Sequence, residues 1–140
     1  MRDSGAKGLA IALIDQGRVT DARAYGARNA AGDPLTADTI MYGASLTKAA
    51  FAYTVMQLVD EGRIGLDQPI AELLAKPLPE YTGTDEKYAD YGQLRDDPRW
   101  RKLTPRILLS HSSGFANFGF LEPDGRLKIH FDPGSRHAYS

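Results

Sequence analysis

Ser45 and Lys48 stand three places apart in GASLTKAAFAYTVMQLVDEG, residues 43–62, inside a run that is otherwise almost wholly apolar. A serine hydroxyl becomes an effective nucleophile only when a base takes its proton. A solvated lysine is protonated at neutral pH, but desolvation disfavours the charged form and turns the amine towards a base. From Leu46 to Val59 the apolar side chains fall on every face, a pattern expected of a helix buried in the middle of a domain. Residues i and i+3 share a helix face with Cβ atoms about 5–6 Å apart, so a helix over residues 45–61 brings the hydroxyl and the amine together. At the helix N-terminus, the positive end of the dipole and the Ser45 backbone amide are placed to stabilise a developing oxyanion. The competing reading is a capping serine followed by a lysine whose stem packs while its head reaches water.

Other chemistries fit less well. The nucleophile elbow G-x-S-x-G has Gly43 but carries Thr47 where its second glycine belongs. His111, Ser112 and Ser113 are adjacent in the chain, whereas triad partners must converge in space. His111 is expected to bond structurally at the end of its helix. His111, His130 and His137 lack the spacing of a zinc site, so no metal and no cofactor is expected. With zero cysteines there is no disulfide framework and no thiolate chemistry. A net charge of −1, with 17 basic and 18 acidic residues and no block of either, argues against charge-driven binding to nucleic acid or a membrane surface. No apolar run reaches the roughly 18 residues of a membrane span.

The elements that must position Ser45 and Lys48 follow from pattern. GLAIALID (8–15) reads as a buried strand, Gln16-Gly17 as a hairpin turn and RVTDARAYG (18–26) as the returning strand. Gly62 is placed to close the helix that follows. LDQPIAELL (66–74) reads as a short helix with Asp67 as its cap. Residues 75–102 show no clear period and carry Tyr81, Tyr88, Tyr91 and Trp100. Such a stretch is a functional loop or insertion, and its aromatics either line a substrate pocket or tether the loop to the body. LTPRILLSHSSG gives a helix with Thr104 as cap, Pro105 in the first turn and Gly114 after the end. Two turn signals follow, Pro123-Asp124-Gly125 and Pro133-Gly134.

Three ordered blocks, TIMYGASLTKAAFAYTVMQLVDEGRIGLDQPI, LTPRILLSHSSGF and FDPGSRHAYS, together with the upstream strand pair, resemble the class C β-lactamase and penicillin-binding-protein superfamily of serine hydrolases. That superfamily includes family VIII carboxylesterases and D-amino-acid peptidases. The resemblance implies an α+β fold, an antiparallel sheet flanked by helices, of which residues 1–140 supply the first two strands, the catalytic helix and part of the helical region. It also implies that Ser45 is the acylated nucleophile and Lys48 its helical partner. Tyr139 then matches the tyrosine of the Y-x-N motif that shares the proton transfers. Ser140 fills the middle position of that motif, whose asparagine falls at residue 141, beyond this sequence. The K-T-G-like third motif and most of the helix before the first strand lie outside it too.

The implied function is acyl transfer from a small ester, amide or β-lactam to water. An esterase or peptidase is favoured over a dedicated β-lactamase because Tyr-Ser at 139–140 is common outside the lactamases. The alternative is a penicillin-binding sensor or inactive homologue. The expected partner is a complementary C-terminal polypeptide that starts near the missing asparagine and carries the K-T-G-like strand. A short protein completed by a second copy of itself is the other possibility. The resemblance implies a periplasmic or secreted location. No signal peptide precedes the first strand in this sequence, and a cytoplasmic location is compatible with it.

Overall fold

The computed structural model describes residues 3–83 and 90–140. The chain divides into two compact units, Met1–Ala44 and Ser45–Ser140. In the first, β1 (Gly8–Asp15) and β2 (Arg18–Gly26) form an antiparallel pair. Gln16 and Gly17 both take positive φ, 47° and 75°, the combination that a two-residue type I′ turn requires. The register shifts between Leu13 and Ile14, and the Thr20 hydroxyl donates to the Leu13 carbonyl beside the irregularity. The following loop folds back on the sheet through Leu35, which is buried, with its amide bonded to the Gly26 carbonyl. The expectation of a buried first strand is not met. Ile11, Leu13 and Ile14 are all exposed, because no element among the described residues of this unit packs over the two-stranded sheet.

A 3₁₀ turn over Ala44–Leu46, which begins at the last residue of the first unit, leads into α1 (Thr47–Asp60) of the second. Ser45 therefore lies in the tight turn ahead of the α-helix. α1 contains no buried residue, and Phe51 and Tyr53 are exposed, contrary to the central helix expected from its composition. Its C-terminus closes as expected. Gly62 takes φ 67°, its amide bonds the Val59 carbonyl, and the Arg63 amide reaches the Leu58 carbonyl. That is a Schellman closure with glycine at the left-handed position.

The core of this unit is built largely by the stretch expected to be a loop. Leu78, Leu94 and Trp100 pack with Leu103 and Ile129, and Ile70, Leu74, Tyr91 and Ile107 pack around them. Three 3₁₀ turns carry these side chains: Leu78–Glu80, Tyr91–Leu94 and Pro98–Lys102. The Asp90 and Asp97 carboxylates cap the second and third by accepting from the Gly92 and Arg99 amides. The Arg99 guanidinium also bonds Asp97 and donates to the Ile129 carbonyl at 2.7 Å. Trp100 is thus a core residue, and Tyr88 lies outside the described residues.

The second helix, α2 (Ile70–Leu73), is shorter than expected and starts after Pro69. Asp67 does not cap it. It pairs instead with Arg106 at 2.6 and 2.8 Å, and that guanidinium holds its carboxyl below the usual carboxylate range. The third, α3 (Pro105–Leu109), has the expected Thr104 cap, whose hydroxyl accepts from the Ile107 amide. His111 bonds at the end of this helix as expected, with its amide on the Leu108 carbonyl and φ at 54°, and Gly114 follows with φ at 89°.

Candidate active site

Ser45 lies in the 3₁₀ turn that begins at Ala44. Ala44 takes φ 44°, a left-handed conformation unfavourable for a residue with a Cβ. Such outliers cluster where function demands a particular backbone path. Residues three apart share a helix face, so Ser45 in this turn and Lys48 in the first turn of α1 fall on the same side. Both side chains are exposed in this structure, so the desolvation invoked for Lys48 is not provided by the described residues.

Ninety-four residues further along the chain, the Tyr139 hydroxyl donates to Ser45 Oγ at 2.8 Å. The Lys48 ammonium stands 5.1 Å from the centroid of the Tyr139 ring. The bond to Ser45 and the adjacent Lys48 together hold the Tyr139 phenol below its usual range, as an opposite charge beside a phenolate should. The structure thus brings together all three residues singled out in the sequence.

Tyr139 is carried by an extended segment fastened to the end of α3. The Ala138 amide bonds the His111 carbonyl at 2.8 Å, and the Gly134 amide bonds the Ser112 carbonyl at 2.8 Å. The His130 amide bonds the Gly114 carbonyl at 2.8 Å. Gly114 is required here by close approach, since a Cβ at this position would lie 2.7 Å from the Phe131 carbonyl oxygen. Ser113, almost fully buried, places its hydroxyl 3.3 Å from that of Ser140 and accepts from the Phe115 amide. His111, not among the residues expected to serve the site, lies against Tyr139 with ring centroids 4.5 Å apart. The sequence signal that could have found it is the lack of a glycine directly after α3. His130 is engaged elsewhere, with the buried carboxylate of Glu122.

A cavity of about 540 Å³ opens beside these groups, lined by Lys48, Tyr91, Leu108, Ser113, Phe115, Phe118 and Ser140 among others. Of the aromatics in the 75–102 stretch, Tyr91 reaches it, while Tyr81 stacks under the Lys76 ammonium. Among the described residues no group of three or more His, Asp or Glu side chains could hold a metal ion. No helix of the described residues is long and apolar enough to cross a membrane.

A solved structure shares this arrangement of elements, and curated proteins resemble the sequence. A D-amino acid amidase from Ochrobactrum anthropi SV3, solved with L-phenylalanine, superposes with a TM-score of 0.69 at 24% identity, covering 99% of this chain and 39% of its own. The lovastatin esterase of Penicillium rubens is 32% identical over 90 residues, 64% of this chain and 22% of the esterase. The monacolin J acid methylbutanoyltransferase of Aspergillus terreus is 33% identical over 115 residues, 76% of this chain and 27% of that enzyme. The chain therefore spans about a quarter of the length of these curated relatives. The superposition carries the α+β, β-lactamase/transpeptidase-like fold, and the family model described as Beta-lactamase matches residues 1–140. The chain belongs to the beta-lactamase family.

Proposed function

We propose that these residues carry the acylation centre of a serine hydrolase in which Ser45 is the nucleophile and Tyr139, flanked by Lys48, is its proton acceptor. The observation that carries this reading is the 2.8 Å bond between the Tyr139 hydroxyl and Ser45 Oγ. With the phenol ionised, the same contact runs the other way and the serine proton passes to the phenolate as Oγ bonds the substrate carbonyl carbon. The Lys48 cation favours that phenolate, and the Ser45 amide faces the oxyanion at the head of its helix. Collapse of the tetrahedral adduct expels the alcohol or amine, which takes the proton from Tyr139. Water then gives a proton to Tyr139 and its hydroxide attacks the acyl carbon. Ser45 Oγ departs with the proton returned.

Ester and amide substrates are favoured over a dedicated β-lactamase role, in keeping with relatives described as an esterase and an acyltransferase. The apolar lining of the cavity beside Lys48 supports an acyl group with an apolar body. Completion by a further polypeptide that covers α1 and pairs with the β1–β2 sheet is part of this proposal. Its support is the exposed apolar surface of Ile14, Val19, Phe51 and Tyr53. Intact mass and a denaturing gel of the native sample should show that second stretch of chain, joined or separate. Full turnover by a lone 140-residue monomer contradicts it.

Steady-state hydrolysis of a chromogenic short-chain ester tests the activity itself. Continuous turnover abolished by Ser45→Ala is expected. A single burst without turnover assigns the protein instead to the penicillin-binding sensors.

A further inference from the structure

We propose that His111 is a positioning residue that holds Tyr139 on Ser45, an inference that rests on the acylation centre proposed above. Three observations meet at this residue. The first is its backbone. His111 takes φ 54° directly after α3, its amide bonds the Leu108 carbonyl at 3.2 Å, and the Ser112 amide bonds the Ile107 carbonyl at 3.0 Å. These are the two bonds that close α1, with histidine at the place where α1 has Gly62. A glycine at that place is free of the steric penalty that His111 bears.

The second is its ring. The imidazole lies 4.5 Å from the Tyr139 ring, tilted 35° to it, on a residue whose hydroxyl reaches the nucleophile. The third is the pair of contacts from Nδ1 to the next residue, 3.0 Å to the Ser140 carbonyl oxygen and 3.3 Å to the Ser140 amide. With Nδ1 protonated it donates to the carbonyl, and with Nδ1 bare it accepts from the amide. Either neutral tautomer therefore grips the backbone at residue 140. The His111 carbonyl accepts from the Ala138 amide, so one residue fixes the chain on both sides of Tyr139. A helix end alone needs only the backbone closure. The ring and its Nδ1 contacts serve Tyr139.

The replacement His111→Gly separates the two roles in the intact protein. It keeps the left-handed closure, removes its strain and deletes the ring. The melting temperature should hold or rise, while kcat on a chromogenic ester falls about 10- to 100-fold with KM little changed, as expected when a reacting group is misplaced by about 1 Å. The rising limb of the pH–rate profile should move to higher pH, because a phenol freed from Ser45 and Lys48 returns towards its ordinary value. His111→Asn tolerates the left-handed backbone and can accept from the Ser140 amide, and it should recover part of kcat. Wild-type kcat and an unmoved pH profile in a folded His111→Gly protein overturn the positioning role. Failure of the wild-type protein to acylate at Ser45 overturns the underlying reading instead, so the two failures are told apart.

Discussion

At the start of α1, Ser45 and Lys48 stand exposed on a helix with no buried residue. At the end of α3, backbone bonds at His111, Ser112 and Gly114 fasten the segment over residues 130–138 that leads to Tyr139, directly after Ile129 of the Trp100 core. In the proposed site one side carries the reagent and the other carries the frame. The two helix ends sharpen the contrast. α1 closes on glycine, the cheapest residue for a left-handed backbone, and α3 closes with the same bonds on a strained histidine beside the reacting groups. At these two helix ends the difference is that the strained one presents a ring to Tyr139 and the unstrained one only turns the chain.

Loss of the link between reagent and frame should have the largest effect. Tyr139→Phe keeps the ring against His111 and removes the hydroxyl from Ser45. Acylation should slow by about 10²- to 10⁴-fold, the range of general acid–base groups. A Tyr139→Phe protein that acylates at the wild-type rate would break the comparison at its joint.

Lys48→Gln removes the cation on the reagent side. Because the bond to Ser45 and the adjacent Lys48 lower the Tyr139 phenol from its ordinary value of about 10, log(kcat/KM) should climb with pH and level off below that value. In Lys48→Gln that limb should move to higher pH, leaving the largest deficit near neutrality and a smaller one under alkaline conditions. A deficit equal at every pH contradicts a charge effect on Tyr139.

Two glycines test the frame against the turn. Gly114→Ala forces a Cβ against the Phe131 carbonyl at a φ of 89° and should cost about 2 kcal/mol, read as a loss of thermal stability with activity falling alongside. Gly62→Ala meets no atom within 4 Å and should cost about 1 kcal/mol through its backbone alone, with kcat unchanged. Equal loss of kcat in both would mean that the end of α1 also belongs to the frame.

Much of this was legible in the residues. Ser45, Lys48 and Tyr139 stand in ordered blocks, the Gln16-Gly17 turn is bounded by strand patterns, and Thr104-Pro105 announces a helix start. The remainder was of another kind. The core side chains Leu78, Leu94 and Trp100 ride on 3₁₀ turns, which are too short to show a 3.6-residue period. Asp67 resembles a cap by its place before a helix, but its partner Arg106 lies 39 residues away and only folding reveals it. The place of His111 at the end of its helix was legible, but its left-handed backbone and its contact with Tyr139 were not, because the partner lies 28 residues further on and only folding brings it near. The apolar composition of α1 spoke of burial that the described residues do not supply.

The most direct test is covalent labelling. The intact protein is treated with a fluorescent phosphonate, digested, and mapped by mass spectrometry. The account predicts one adduct, on the hydroxyl of Ser45, formed more slowly in Tyr139→Phe and absent in Ser45→Ala. A folded sample that stays unlabelled, or that carries its adduct on Ser112, Ser113 or Ser140, contradicts it.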